Sequence, residues 1–349
     1  MLAFSQRRSK ESQKMIESVR SREWGLLILD EVHVAPADMF RRCLNVAKSK
    51  CKLGLTATLL REDAKISDLS FLVGPKLFEA DWLELQRQRY LATVRCVEIW
   101  CPLDPLFCRQ YILQRSTNRR NLLQTMNPSK FRVCEHLIRL HEERGDKIMV
   151  FSDNIFSLKK YAVILGKPFI YGRTSEAERL ATLKSLQEDD EMSTVFISKI
   201  GDCSIDLPDV NVVIQISSHF SSRRQEAQRL GRILRPKARS DASAHFYTLV
   251  SEDTDECVYA ARRQRFLIDQ GYMFEVKNGG GLEGGFFEDE KTKKGLLKEV
   301  MAVSEKLGSI ESDIEDFEKT KTPKIKKGKK TKFKSEKMKK IKESILRRK

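Results

Sequence analysis

The stretch from Leu26 to His33 constrains the fold of this chain more than any other. Four aliphatic residues, Leu26 to Leu29, are followed at once by two carboxylates, Asp30 and Glu31. An uninterrupted aliphatic run predicts a strand buried on both faces, as in the parallel sheet of an α/β domain. Such sheets bind ligands at the carboxyl ends of their strands, where these carboxylates stand. The alternative interpretation is a strand that ends in a solvated acidic turn.

An acidic pair after a buried strand is typical of nucleotide-hydrolysing P-loop folds. The first carboxylate, here Asp30, helps to hold Mg²⁺ on the phosphates of ATP, and the second, Glu31, polarises the attacking water. His33 follows two residues later. It either couples the site to neighbouring polar groups or is simply hydrogen-bonded.

A second short strand ends in two hydroxyls, Thr56 and Thr58, around a small residue. In this order after an acidic pair, Thr-Ala-Thr matches the motif by which helicase-like ATPases connect the phosphate end of the site to the second lobe. A plain β-turn is the other interpretation. Arg61, Glu62 and Asp63 follow, and their composition alone predicts an exposed charged loop.

A regular alternation of strands and helices begins at Asn127. Pro128 suits the first turn of a helix, and Ser175 with Glu178 has the spacing of a capping box. The alternation continues to Gly271, which predicts a second parallel sheet covered by helices.

Two polar stretches of this second domain are candidates for chemistry. The first contains Gly201, Asp202 and Asp206 after a strand, and such a loop can contact a ribose and a phosphate backbone. Any polar loop between a strand and a helix has a similar composition. The stretch alone therefore does not decide between a ligand-binding loop and a plain connection.

The second stretch, from Gln228 to Arg235, carries two arginines. Arg232 and Arg235 lie three residues apart on one helical face, and Gly231 permits close approach. Planar guanidinium groups match the charge that spreads over the oxygens of a transferring γ-phosphoryl group. An exposed basic helix is the alternative interpretation.

Composition bounds the class of protein. The chain has 349 residues, of which 40% are hydrophobic, so two domains with sizeable cores are expected. No apolar run approaches the length that crosses a bilayer, and no signal peptide is recognisable, so we expect a soluble intracellular protein without a membrane partner. The eight cysteines include no C-x-x-C pair and are expected to be reduced thiols.

The net charge of +16 is concentrated at the carboxyl end. Residues 319–349 contain sixteen Lys and Arg against two Glu, which leaves a net charge of only +2 for residues 1–318. A segment so charged and so poor in apolar residues does not pack into a core. It is expected to be a nuclear-import signal or a nonspecific DNA-binding arm, with a merely solvating tail as the alternative.

In this order, the stretches resemble the motifs of superfamily-two helicases, and most closely those of the XPB type of DNA helicase or translocase. Asp30 to His33 resembles motif II, Thr56 to Thr58 motif III, residues 197–208 motif V, Gln228 to Arg235 motif VI, and Arg61, Glu62 and Asp63 the R-E-D element of this family. The similarity extends to about Val276. An unrelated P-loop ATPase is disfavoured, because R-E-D and motif VI would then be coincidences.

The resemblance implies an α/β fold of two RecA-like lobes with parallel sheets that close on ATP. Residues 1–100 would form an incomplete first lobe, 101–127 a connector with a thumb-like insertion, 128–278 the second lobe and 279–349 a disordered basic tail. The nucleotide would be contacted by Asp30, His33, Asp206, Gln228, Gly231 and two arginine fingers, Arg232 and Arg235. DNA contact or coupling would fall to Thr56, Thr58, Arg61, Glu62, Asp63, Gly201 and Asp202.

The resemblance also implies an activity and a place in the cell. It implies a nuclear, ATP- and Mg²⁺-dependent motor of 3′-to-5′ polarity that acts on double-stranded DNA together with the other subunits of TFIIH, in transcription initiation and nucleotide excision repair. The phosphate-binding loop G-x-x-x-x-G-K-[ST] does not occur in this sequence. We therefore expect a fragment or an incomplete gene model of the motor, with a noncatalytic paralogue that binds DNA or TFIIH as the alternative.

Overall fold

A computed structural model gives the fold of most of the chain. It describes residues 10–30, 32, 46–56, 70–80, 82–88, 90, 92–189, 191–198, 210–217, 244–269, 272–282 and 284–303. These residues form two parallel sheets, one of two strands and one of seven, with helices between the strands. The predicted α/β class with parallel sheets is confirmed.

The smaller sheet contains the stretch that ends in the acidic pair. Helix α1 (Lys10–Arg20) precedes strand β1 (Glu23–Leu29), which pairs in parallel with strand β2 (Lys48–Gly54), and helix α2 (Trp82–Arg87) follows. The expectation that β1 is buried on both faces is wrong, because Leu26 and Ile28 are 52% and 57% exposed. Within the described residues this sheet has two strands. Side chains on so narrow a sheet have few neighbouring strands to pack against, so they stay exposed.

The larger sheet takes its strands from both sides of residue 127. In chain order its elements are β3 (Val94–Cys101), α3 (Pro105–Leu113), α4 (Thr117–Thr125), α5 (Pro128–Glu142), β4 (Ile148–Phe151), α6 (Ile155–Ile164), β5 (Phe169–Ile170), α7 (Glu176–Glu188), β6 (Thr194–Ile197), β7 (Val212–Gln215), β8 (Ala244–Ser251), α8 (Glu256–Asp269), β9 (Met273–Asn278) and α9 (Glu290–Ala302). The strand order is β5-β6-β4-β7-β8-β3-β9, with parallel pairing throughout.

Alternate residues of the central strands enter two separate cores. On β4, Ile148 and Val150 pack with α5 and α6, whereas Met149 and Phe151 face the opposite side, where Leu186 of α7 and Leu267 of α8 lie. All residues of β4, β6 and β7 are buried, as expected for parallel strands with helices on both faces. The larger sheet is therefore covered on both sides.

Two predicted helix starts are confirmed. The side chain of Asn127 accepts the backbone N–H of Ser129 before α5, and the hydroxyl of Ser175 accepts the backbone N–H of Glu178 before α7. Both caps satisfy amide groups that have no partner within their own helix.

The predicted domain boundary at residue 100 cuts through strand β3. β3 lies between β8 and β9 in the larger sheet, so it does not belong to residues 1–100 as a first lobe. Residues of the expected connector also enter the core, because Phe107 and Leu123 are fully buried there. Strand pairing and apolar packing across the chain decide where this unit begins.

The boundary of the tail at residue 279 also needs correction. Phe287, Leu296 and Val300 are buried in the same core as α5, and α9 contacts α3 and α4. The apolar side chains of this Gly-rich, charged segment are thus enough to fold residues 284–303 onto the domain. Residues 304–349, which carry the Lys-rich stretch, lie outside the described residues.

Among the described helices, none combines the length and the apolar character that a membrane span requires. Cys96, Cys101 and Cys134 are buried free thiols, whereas Cys51 is exposed.

Candidate functional site

Two of the candidate site residues, Asp30 and Thr56, fall within the described part of the chain. The other candidates lie outside it: Glu31, His33, Thr58, Arg61, Glu62, Asp63, Gly201, Asp202, Asp206, Gln228, Gly231, Arg232 and Arg235. The structure therefore gives the geometry of the strand ends that carry Asp30 and Thr56, and that of the carboxyl edge of the larger sheet.

Asp30 and Thr56 follow neighbouring strands at the same edge of the smaller sheet. Leu29 at the end of β1 stands opposite Gly54 at the end of β2. Beyond these strands the two chains remain joined, because the backbone N–H of Leu55 donates to the Leu29 carbonyl and that of Val32 donates to the Leu55 carbonyl, each at 2.9 Å. The backbone on both sides of Asp30 is thus hydrogen-bonded to the segment that leads to Thr56.

Val32 closes this strand end from one side. It is 6% exposed and packs with Leu27, Leu29, Leu72 and Val73. Its two methyl groups lie so close to Gly54 that a side-chain carbon at residue 54 would be 2.8 Å and 2.9 Å from them. The stretch that carries the acidic pair and the one that carries Thr56 are therefore in direct steric contact.

Serine hydroxyls gather at the carboxyl edge of the larger sheet, which sequence reasoning missed. Ser152 follows β4 and Ser217 follows β7, and their hydroxyl oxygens are 3.2 Å apart. The backbone N–H of Asp153 donates to the hydroxyl of Ser217 at 2.7 Å. A serine directly after a buried strand is the sequence signal that could have identified this edge, since parallel sheets bind ligands there.

A buried ion pair lies beside these serines. The ammonium group of Lys130 donates to the carboxylate of Glu256 at 2.5 Å and to the carbonyl of Ile216 at 3.3 Å. Glu256 also accepts the backbone N–H of Ser251 at 2.8 Å. The pair thus ties α5 and the start of α8 to the ends of β7 and β8. Burial raises the pKa of the neighbouring Cys101 to about 12, although Lys130 acts in the opposite direction, so this thiol stays protonated.

One arginine of the basic stretch before Asn127 has a structural role. The guanidinium of Arg120 lies 4.4 Å from the ring centroid of Tyr111, and it forms a 3.1 Å ion pair with Asp255. The hydroxyl of Tyr111 in turn accepts the backbone N–H of Asp255 at 2.8 Å. These contacts hold α3 and α4 against the start of α8, whereas Arg115 is exposed.

A histidine cluster occupies the amino edge of the larger sheet, away from the strand ends that bind ligands. His141 contacts Asp146 at 2.6 Å and the hydroxyl of Tyr247 at 3.0 Å, and its ring centroid is 5.3 Å from that of His245. Burial and the nearby His141 lower the pKa of His245 to about 4. Burial raises the pKa of Asp146, but hydrogen bonds from His141 and Asn211 outweigh it, so the net pKa is lowered.

This chain is similar to sequence families, to curated proteins and to solved structures. Residues 85–332 match the family described as ERCC3/RAD25/XPB C-terminal helicase, and residues 1–61 match the one described as type III restriction enzyme, res subunit. The protein of Dictyostelium discoideum named general transcription and DNA repair factor IIH helicase/translocase subunit XPB is 55% identical over 324 residues, or 91% of this chain and 40% of its own length. The protein of that name from Danio rerio is 54% identical over 311 residues, or 87% of this chain and 40% of its own length.

Solved structures share the fold at low identity. Dbp5 of S. cerevisiae, bound to RNA and ADP BeF3, has a TM-score of 0.52 and 12% identity, covering 83% of this chain and 68% of that chain. The type ISP restriction-modification enzyme LlaBIII, bound to DNA, has a TM-score of 0.57 and 16% identity, covering 83% of this chain and 24% of that chain. At these identities the likeness concerns the fold alone.

The chain spans about 40% of the length of the first two curated relatives, so the similarity concerns one part of those proteins. Within that part it is extensive, because a single family matches residues 85–332 and identities above 50% extend over most of the chain. The chain therefore belongs to the ERCC3/RAD25/XPB C-terminal helicase family.

Proposed function

We propose that this chain is part of an ATP-dependent 3′-to-5′ DNA helicase or double-stranded DNA translocase that works within TFIIH. The observation that carries the proposal is the 55% identity over 324 residues to a protein named as the helicase/translocase subunit XPB of that factor. In this proposal the protein acts in the nucleus, in transcription initiation and in nucleotide excision repair, and it contacts double-stranded DNA and the other TFIIH subunits.

Asp30 suits the role of a magnesium ligand. Its carboxylate follows a strand of a parallel sheet, at the edge where such sheets bind ligands, and hydrogen bonds on both sides of it hold the backbone. Mg²⁺ on a nucleotide needs one or two carboxylates, and the phosphates and water complete its shell. The bound ion would neutralise charge on the phosphates. Among the described residues no cluster of three or more potential ligands occurs, and a nucleotide-bound ion does not require one.

The remaining roles come from residues beyond the described part. Glu31 would orient and polarise the attacking water, and Arg232 and Arg235 would stabilise charge on the transferring phosphoryl group. Asp206 would contact the ribose. Thr56, at the strand end next to Asp30, would take part in coupling hydrolysis to DNA movement.

The chain by itself is proposed to be inactive. The sequence contains no G-x-x-x-x-G-K-[ST] loop, and Asp30 can hold Mg²⁺ only where other groups hold the phosphates. A second candidate function is a noncatalytic module that binds DNA or TFIIH. In-frame coding sequence for such a loop upstream of Met1 would select the motor, and an in-frame stop directly upstream would favour the binding module.

A coupled ATPase assay with duplex DNA tests the proposal on two proteins. One is the chain of 349 residues, and the other is the extended chain, which we define as this chain preceded by the upstream part of the Dictyostelium discoideum relative. We expect the extended chain to hydrolyse ATP and the chain of 349 residues not to do so. Glu31→Gln should abolish the turnover of the extended chain. Robust Glu31-dependent turnover by the shorter chain would contradict its proposed inactivity, and an inactive extended chain would contradict the motor.

A further inference from the structure

We propose that Gly54 is a positioning residue for the carboxylate of Asp30 and that it acts through Val32. The inference rests on the proposed ATP hydrolysis and deepens it, because it assigns a role to a residue that bears no side chain. Gly54 ends β2, whereas Asp30 and Val32 belong to the stretch that follows β1.

Val32 leaves no space for a side chain at position 54. A side-chain carbon on residue 54 would lie 2.8 Å from Cγ2, 2.9 Å from Cγ1 and 3.1 Å from Cβ of Val32. Rotation of Val32 about χ1 can bring hydrogen into one of the two methyl positions that face residue 54, but the other position keeps a methyl group and Cβ stays in place. No rotamer of Val32 therefore clears the space, and any larger residue at position 54 must displace the backbone of residue 32.

Two backbone hydrogen bonds link the position of Val32 to that of Asp30. The amide of Val32 donates to the Leu55 carbonyl, and the amide of Leu55 donates to the Leu29 carbonyl. These two bonds lie on either side of Asp30 and hold the peptide between them on the extension of β2. If Val32 moves away from Gly54, the bond from its own amide weakens first, and the chain that carries Asp30 is released on one side.

The lack of space for a side chain is specific to position 54 and does not extend to the neighbouring glycine of this sheet. Gly25 lies in the neighbouring strand β1, yet a side-chain carbon there would meet no atom within 4 Å. Neither Gly25 nor Gly54 has the positive φ that favours glycine. Backbone strain therefore does not explain Gly54, and its close contact with Val32 does. Gly54→Ala and Gly25→Ala are the same chemical change, made with the Val32 contact at residue 54 and without any such contact at residue 25.

Hydrogen exchange tests the geometry in the chain of 349 residues. We expect Gly54→Ala to speed exchange of the Val32 and Leu55 amides by NMR, and Gly25→Ala to leave both rates unchanged. The double variant Gly54→Ala with Val32→Ala keeps only the 3.1 Å contact, so it should regain protection. Unchanged protection in Gly54→Ala would overturn the proposal.

Turnover by the extended chain tests the positioning. A misplacement of about 1 Å at a reacting group costs about 10²-fold in rate, so Gly54→Ala should lower kcat by about that factor and leave the KM for ATP near its wild-type value. Adding Val32→Ala should recover most of the loss, and Gly25→Ala should have no effect. Equal kcat values for Gly25→Ala and Gly54→Ala would contradict the positioning role of Gly54. A loss of kcat that Val32→Ala does not rescue would contradict it as well.

The two proposals fail in different ways. An inactive wild-type extended chain would refute the proposed function, and the exchange rates of Val32 and Leu55 would still decide whether Gly54 positions this strand end. An active wild type with an unaffected Gly54→Ala variant would refute the inference alone.

Discussion

The ammonium group of Lys130 lies 2.5 Å from the carboxylate of Glu256, with side chains that are 0% and 7% exposed. Removing two charges from water costs several kcal/mol, which such a pair regains only with good geometry and further hydrogen bonds. Here the carbonyl of Ile216 and the amide of Ser251 provide them. Breaking the pair from one side would leave a buried charge without its counterion.

Glu256→Gln should therefore lower the free energy of unfolding by about 3–5 kcal/mol. The exposed pair of Lys184 and Glu188 on α7 provides the control, because Glu188→Gln should cost about 0–1 kcal/mol. Urea denaturation followed by circular dichroism measures both changes. Equal losses in the free energy of unfolding would mean that the buried pair stabilises the fold no more than the exposed pair.

Phe287→Ala should destabilise the domain by about 3–5 kcal/mol. The residue Phe287 is 1% exposed, and its ring packs edge-to-face on that of Phe131 with the ring centroids 4.8 Å apart. Phe286→Ala is the matched control, since that ring is 53% exposed. Thermal melting of both variants tests whether residues 284–303 are integral to the fold. A melting temperature for Phe287→Ala close to that of the wild type would show that residues 284–303 are not integral to the fold.

His245 should make stability dependent on pH. Its pKa is lowered to about 4 from the ordinary value of 6.5, so between these values the unfolded chain binds a proton that the folded chain does not. The contribution of neutral His245 to the free energy of unfolding is then fully present above about pH 6.5 and is lost as the pH falls toward about 4. Asp146, whose pKa is also lowered, extends the loss to lower pH.

Urea unfolding at a series of pH values between about 7 and 4.5 measures this slope. His245→Gln should flatten it, and His136→Gln, which removes an exposed histidine on α5, controls for the loss of an imidazole. The positive charges of Arg95 and Arg144 also act on His245 and are unchanged in both variants. A slope that His245→Gln does not alter would refute the assignment.

Arg235→Ala in the extended chain should lower ATP turnover by about 10³-fold, the scale of an arginine finger. The variant should melt like the wild type, because the loss concerns charge on the transferring phosphoryl group. Arg115→Ala, at an exposed position before α4, is the control for removing a guanidinium. Unchanged turnover would make Arg235 a surface charge.

The Lys-rich tail should make DNA binding more dependent on salt without making it sequence-specific, because lysines meet phosphates as point charges. If about five charges engage phosphate, the slope of log K against log salt should steepen by about 4 to 5 units relative to a chain that ends at Glu318. Fluorescence anisotropy with a labelled duplex measures the slopes. Equal slopes would leave nuclear import or protein contact as the role of the tail.

Local signals predicted part of the fold. The caps at Asn127 and Ser175 are completed within two or three residues, so the sequence contains both partners of each hydrogen bond. The alternation of strands and helices after Asn127 is predicted from similarly local patterns. The placement of Asp30 and Thr56 at neighbouring strand ends follows from parallel pairing, whereas their chemical roles stay predictions.

Long-range contacts decided what sequence reasoning missed. Lys130 meets a partner 126 residues away, and an isolated lysine in a helical pattern gives no sign of burial. Phe287 stands in a Gly-rich, charged segment, and only its packing on Phe131 shows that the segment folds. Nothing near Val94 indicates that its strand pairs with β8 and β9, because strand pairing is specified by the whole sheet.

The place of β3 between β8 and β9 affects how the protein folds during synthesis. Val94 pairs with Ala244 and Arg95 with Met273, so β3 leaves the ribosome well before either neighbour exists. At about 5–20 residues per second, the 150 residues to Ala244 take roughly 8–30 s. During that interval the apolar side chains and unpaired backbone of β3 are available to chaperones and to other nascent chains. We expect the translation rate over residues 102–278 to govern the yield of folded protein more than the rate over residues 1–93.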